Sequence, residues 1–215
     1  EMGLARSEDG INWTRVGKVM GVSDGWDSLS VVPGSVTKSV DGTLTLWYTG
    51  GNGDTEQIGA ATSTDNGNTW TKSNNNPSFE PGRAGTFDDT RVIQPYVVED
   101  GGTSHLFYAG FDGEEWKIGH ASRNQGEDTW NRSPSEEEPR AIVQAQGLFY
   151  REGTQSPVVF LDENGHYNMW YAGTQDEIHR VGHATGFFPD HLRPTYLVPS
   201  WGDKLTFETH RGDSE

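Results

Sequence analysis

The chain has 215 residues, enough for a buried core, and a formal charge of −16 from 16 Lys plus Arg against 32 Asp plus Glu. That balance argues against DNA, RNA and anionic membrane surfaces, whose phosphates require a basic footprint. There is no Cys, which removes disulfides, zinc thiolates and thiol chemistry, and no apolar run approaches the roughly 18 residues of a spanning helix.

Aromatic residues make up 11% of the chain, too many for a disordered polymer, while 28 glycines point to a turn-rich fold. The mean hydropathy of −0.74 is low for a helical globule. The opening run Gly3-Leu4-Ala5-Arg6-Ser7, continuing to Trp13, reads as the last two strands of a unit whose first half is missing. Three fuller units follow. Leu44-Thr45-Leu46-Trp47-Tyr48-Thr49-Gly50 recurs as His105-Leu106-Phe107-Tyr108-Ala109-Gly110 and as Asn168-Met169-Trp170-Tyr171-Ala172-Gly173. The tyrosines are 60 and then 63 positions apart. A second element keeps step: Ile58-Gly59-Ala60-Ala61, Ile118-Gly119-His120-Ala121, Val181-Gly182-His183-Ala184. A third precedes each tyrosine segment, around Pro33, Pro95 and Pro157. Asp41-Gly42, Asp100-Gly101-Gly102 and Asn164-Gly165 supply the turns.

No segment holds a 3.6-residue apolar period, so the expectation is all-β. Four short strands per unit, in the same order each time, is the pattern of a β-propeller blade. The chain divides into a partial blade (1–25), blades at 26–86, 87–148 and 149–186, and a closing or tail segment at 187–215 in which Leu205-Thr206-Phe207 suits a strand. The whole is expected to be one β-propeller domain, five-bladed or an incomplete version of one.

Ser63-Thr64-Asp65-Asn66-Gly67-Asn68-Thr69-Trp70 fits the Ser-x-Asp-x-Gly-x-Thr-Trp turn known as an Asp-box. The carboxylate can bond amides of the turn, and glycine supplies positive φ. Ser7 to Trp13 is a version one residue shorter, and Ser122 to Trp130 one residue longer. These are structural turns. The seven histidines include His120 and His183 at one repeat position, on separate blades, which suits structure better than a metal pair. No metalloprotease His-x-x-x-His helix, nucleophile elbow or phosphate loop occurs. No cofactor is expected, although abundant oxygen ligands leave room for a structural calcium at the propeller axis.

Together these elements resemble the five-bladed glycoside hydrolases of families 43 and 32, the β-xylosidase, arabinanase, arabinofuranosidase and β-fructosidase groups. The resemblance covers residues 3–186 and is specific for the blade repeat rather than for one activity. It implies carboxylates on the innermost strands: a base or nucleophile, an orienting Asp and a Glu general acid, whose separation decides inversion or retention. Blade starts offer Asp27, Asp89 and Glu152 as this catalytic set. Trp26, Asp88, Arg91, Gln94, Gln155 and Tyr150 are the candidate sugar-binding residues: aromatics to stack on a ring, Arg and amides to bond hydroxyls. One departure stands out. The resemblance places a carboxylate close before each proline, and here those positions hold Val32, Gln94 and Ser156. Asp27 and Asp88 also suit a second duty, capping blade-entry loops.

The expected function is therefore a glycoside hydrolase acting on a poly- or oligosaccharide. The alternative is a non-catalytic propeller that binds glycan or protein. A sialidase ranks last, for want of a third blade-start arginine beside Arg91 and Arg151. The expected partner is carbohydrate, with neither nucleic acid nor membrane. Exposed strands of an incomplete ring would invite self-association. A secreted or periplasmic location is favoured; no signal peptide is visible, and a chain starting at Glu1 is compatible with one already removed.

Overall fold

The computed structural model describes residues 1–143, 153–175 and 178–197. Among them there are fourteen strands and no helix. Strands β1 (Met2–Arg6) and β2 (Thr14–Met20) form an antiparallel hairpin. Blade A follows as β3 (Ser30–Lys38), β4 (Leu44–Gly51), β5 (Glu56–Ser63) and β6 (Thr71–Lys72). Blade B is β7 (Arg91–Asp100), β8 (Thr103–Phe111), β9 (Trp116–Asn124) and β10 (Asn131–Arg132). Blade C is β11 (Gly153–Leu161), β12 (Tyr167–Gln175), β13 (Ile178–Gly186) and β14 (Arg193–Leu197). Each blade is a four-stranded antiparallel meander, so the described chain is a β-propeller of three full blades and an outer half-blade. The outer strand of blade C lies beyond residue 186, where the fading repeat ended that blade. The suggested strand at 205–207 lies outside the described residues.

The hairpin turns are built as their residues demand. In the Ser63–Trp70 turn the Asp65 carboxylate accepts the Thr69 amide at 2.9 Å and the Thr69 hydroxyl at 2.6 Å, while Ser63 Oγ accepts the Gly67 amide at 2.9 Å. The two Thr69 bonds, the hydroxyl's first, and one from the Ser63 hydroxyl at 2.8 Å hold the Asp65 carboxyl down at about 2.

The core lies between blades. Trp47, Ile58 and Ala60 on one face of blade A meet Val92, Val97, Leu106, Tyr108 and Ala121 of blade B. Phe107 and Ile118 on the matching face of blade B meet Val159, Met169, Tyr171 and Ala184 of blade C. Met2 and Met20 of the hairpin cover Leu46, Tyr48 and Ala61 behind blade A. Ladder register makes Trp47, Phe107 and Trp170 equivalent. Their exposures are 2%, 0% and 37%, because no further sheet meets blade C among the described residues.

The entries to blades A and B are each pinned twice. The Trp26 ring lies where a Cβ on Gly50 or Gly59 would come within 2.4 and 2.7 Å, so only glycine lets the two strands pass beneath it. Phe87 does the same over Gly110 and Gly119. The next residue is a carboxylate removed from water. Asp27 is 0% exposed and takes hydrogen bonds from Ser23 Oγ at 2.5 Å, Tyr48 Oη at 3.1 Å and Lys72 Nζ at 2.5 Å. Burial alone would raise its pKa, but Lys72, Ser23 and Tyr48 together hold it below the usual carboxylate range. In blade B, Asp88 repeats the arrangement at 0% exposure, with Thr86 Oγ1 at 2.9 Å, Tyr108 Oη at 2.8 Å and Arg132 Nε at 2.8 Å. Replacing Lys72 by Met strands a buried charge, so it should cost about 3–5 kcal/mol. The double variant Asp27→Asn, Lys72→Met should recover much of that loss, as urea midpoints of the three proteins will show.

Between blades B and C, His120 is 3% exposed and bonds His105 Nδ1 at 3.1 Å and Ser133 Oγ at 2.7 Å. Burial pushes its pKa down to about 3, with the neighbouring His105 adding to the effect; burial also lowers His105 and His183. A histidine depressed in the folded state takes up its proton more readily when unfolded. The stability it supports is thus complete above the unfolded value of 6.5 and is lost as pH falls towards 3. The depressed carboxylates act below their own unfolded value of 3.8, so the interval between belongs to the histidines. The blade A residue equivalent to His120 is Ala60. His120→Ala should flatten the decline in urea midpoint between pH 6.5 and 4, relative to wild type.

Candidate active site

Strands β3, β7 and β11 are the innermost of their blades. Each bulges near its start, and the bulges bind the blades together. Gln94 and Ser156 hold equivalent places and both have φ of 56°, costly for any residue but glycine. This conformation frees each amide from its own ladder. The Gln94 amide donates to Thr49 Oγ1 of blade A at 2.9 Å, and the Ser156 amide to Gln94 Oε1 at 2.8 Å. Further along, the Val97 amide donates to Ser35 Oγ at 2.8 Å, a second tie between blades A and B.

Ladder register corrects the expected alignment of the prolines. Val32, Ile93 and Gln155 share one position; Pro33, Gln94 and Ser156 share the next; Gly34 aligns with Pro95 and Pro157. Pro33 is thus one place out of step with the other two prolines. Asp27 then corresponds to Asp88, 61 residues later, rather than to Asp89.

The candidate residues separate accordingly. Asp27 and Asp88 are closed off from water and fully bonded within their blades, so the geometry assigns them the loop-anchoring duty and denies them a sugar. Trp26 is committed to Tyr48 at 5.6 Å between ring centroids and to the two glycines beneath it. It packs the blade entry rather than stacking on a ligand. Asp89 is half-buried, accepting the Gly85 amide at 2.7 Å and the Thr90 hydroxyl at 3.1 Å. Arg91 reaches back to blade A and pairs with Glu56 at 3.3 Å, not with Asp89, and its Nε is buried without a partner. Gln94 and Gln155 stand on adjacent inner strands, both partly exposed. Glu152 and Tyr150 lie outside the described residues.

The start of the inner strands thus carries Arg91 with Glu56, Asp89, Gln94 and Gln155. Beside them Phe111 stacks on Trp116 at 4.7 Å, and Trp116 pairs with Gly153 where β11 begins. Amides can bond sugar hydroxyls in either direction, the guanidinium only as a donor, and the aromatic pair offers an apolar flank. Among the described residues no group of three or more His, Asp or Glu could hold a metal ion. Sequence reasoning missed Glu56, for which no motif exists. It also missed Lys72 and Arg132, whose signal was present: a cation two residues after the turn tryptophan in Trp70-Thr71-Lys72 and Trp130-Asn131-Arg132, as in Trp13-Thr14-Arg15.

Solved structures share this architecture. A family 117 glycoside hydrolase of the marine bacterium Zobellia galactanivorans superposes with a TM-score of 0.66 at 15% identity, covering 83% of this chain and 59% of its own. Fructan 1-exohydrolase IIa from Cichorium intybus gives 0.63 at 15%, covering 76% of this chain and 31% of its own. A family 32 β-fructofuranosidase variant from Bombyx mori, in complex with sucrose, gives 0.67 at 15%, covering 98% and 46%. The chain thus spans between about a third and three fifths of the length of these three proteins. No curated protein matches the sequence. The sequence model described as glycosyl hydrolases family 32 N-terminal domain matches residues 2–118, more than half of the chain. The chain therefore belongs to the family of glycosyl hydrolase family 32 N-terminal domains.

Proposed function

We propose that this chain serves a glycoside hydrolase acting on a poly- or oligosaccharide of the furanoside, fructoside or xyloside kind, with the sugar at the start of β7 and β11. The observation that carries the reading is the pair of strained bulges on adjacent inner strands. Non-glycine residues at positive φ persist where surroundings over-determine them, and such sites cluster where a protein binds or reacts. Here the bulges stand near the start of adjacent inner strands, with the partly exposed Gln94 and Gln155. Cleavage needs one protonated carboxyl to help the leaving oxygen depart and one ionised carboxyl to attack or to activate water. With Asp27 and Asp88 held in their blades, the proposal gives the acid role to Glu152 and the base or orienting role to Asp89. Carbohydrate is the partner, and a location outside the cytoplasm belongs to the same proposal.

One observation favours a second reading, a propeller that holds glycan without cutting it. The positions directly before the prolines, where the resemblance expects carboxylates, hold Val32, Gln94 and Ser156, none of them acidic and one of them an amide. An amide bonds a sugar hydroxyl but neither gives nor takes a proton at neutral pH.

Hydrolysis of aryl furanosides, xylosides, fructans and arabinans by wild type and Glu152→Gln, with calorimetric binding in parallel, separates the two. The enzyme reading expects wild-type turnover, a loss of about 10²- to 10⁴-fold in the variant, and binding retained by both. Equal turnover in both proteins removes Glu152 from the chemistry. Binding without turnover in either selects the second reading. Folded protein that neither binds nor cleaves any of these glycans overturns both.

A further inference from the structure

The turn after β9 runs from Ser122 to Trp130, one residue longer than the turn from Ser63 to Trp70. That insertion redirects its tryptophan. Trp13 and Trp70 each donate their indole N–H to the carbonyl of the glycine in their own turn, Gly10 and Gly67, at 3.1 Å. Trp130 makes no such bond. It turns in between blades A and B, 4% exposed, and meets Trp47 edge-on at 5.4 Å. Neither indole nitrogen has a hydrogen-bond partner, and both are closed to solvent. A buried donor left without an acceptor costs about 1–3 kcal/mol.

Arg123 stacks on both rings, its guanidinium 4.9 Å from the centre of Trp47 and 4.5 Å from that of Trp130. Its side chain makes no hydrogen bond or ion pair among the described residues. Stacking fixes the plane of a guanidinium and leaves its five donors at the edge unspent. All three side chains line a groove of about 590 Å³ between the blades, together with Thr62, Asn75 and Asp128. That volume is within the range of about 300–1,000 Å³ typical of small-ligand sites.

The chemistry of the wall selects the occupant. Its buried unpartnered groups are the two indole donors, and the Arg123 guanidinium adds more, so the ligand must bring acceptors. An oxyanion would meet Asp128 and Glu99, the acids that already act on Arg123, in a chain of charge −16. A neutral polyhydroxylated ring suits both signs. Its oxygens accept from Arg123 first, and from the indoles as Arg123 shifts. A hydroxyl donates to Asp128, whose Oδ2 is held by the Asn75 amide at 3.1 Å. We propose that the groove between blades A and B is a second carbohydrate-binding site, remote from the propeller axis, in which Arg123 presented by Trp47 and Trp130 grips one glycosyl unit.

The site shares only its ligand class with the proposed function, and indole NMR separates the two. The ¹⁵N-labelled protein has eight indole signals; Trp47, Trp116 and Trp130 are assigned by single Trp→Phe replacements. Titrations use sucrose, an inulin-type fructo-oligosaccharide, an arabino-oligosaccharide and, separately, sodium sulfate. The proposal expects at least one sugar to shift the Trp47 and Trp130 signals in a saturable way, and Arg123→Gln to weaken that binding about tenfold. Shifts confined to Trp116, by the axis, would overturn the groove while leaving the proposed function intact. No shift at Trp47 and Trp130, an Arg123→Gln titration equal to wild type, or a response to sulfate alone would each overturn it.

Discussion

Blades A and B each depend on a carboxylate taken out of water. Asp27 ties the loop entering blade A to the tyrosine of its second strand and to a cation on its fourth, and Asp88 does the same in blade B. Three parts of the chain, far apart in sequence, must arrive together before the charge is satisfied. Desolvating such a group costs about as much as its partners return, so its contribution lies less in net stability than in excluding arrangements that leave it unpaired. A slipped register on either strand would do that. The glycines under Trp26 and Phe87 serve the same end by sterics, since the aromatic residue can be seated in only one way.

Much of the architecture was legible because repetition amplifies weak signals. One stretch such as Leu44–Gly50 is merely a β-rich run; three in step, with turns between them, define a blade. Legibility failed where the repeat itself varied. Blade C lacks the turn tryptophan that marks the fourth strand elsewhere, so β14 had no sequence signature. The prolines misled because Pro33 sits one place earlier in the ladder than Pro95 and Pro157. Proline marks a break in the ladder without saying at which side of the break it stands. That shift set Asp27 beside Asp89 in the expected catalytic trio, although the paired loop-capping duty of Asp27 and Asp88 was already legible. Burial was the deciding quantity, and residue type alone does not reveal it.

The candidate site illustrates a different limit. Arg91 was legible as a cation facing the axis, but its partner comes from the next blade back, through Glu56. Contacts between repeats carry no fixed spacing in sequence. The same holds for the relay from Thr49 to Gln94 to Ser156, in which each blade supplies the acceptor for the strained amide of its successor. Polar side chains that look like ligand contacts in one dimension therefore have two duties in three. Gln94 uses its oxygen to hold blade C and has its amino group left for other work.

Among the described residues, one face of blade C meets no other sheet. Val158, Phe160, Trp170 and Val181 are each between 37% and 50% exposed, on a side that blades A and B bury against a neighbour. An apolar sheet face of that kind attracts any similar surface it meets. The twofold excess of acids over bases opposes this attraction, because two such molecules repel one another before their faces can touch. Wherever that face meets water, a sticky surface and a charged exterior act against each other. Ionic strength, which screens the second without weakening the first, is the variable that tips the balance.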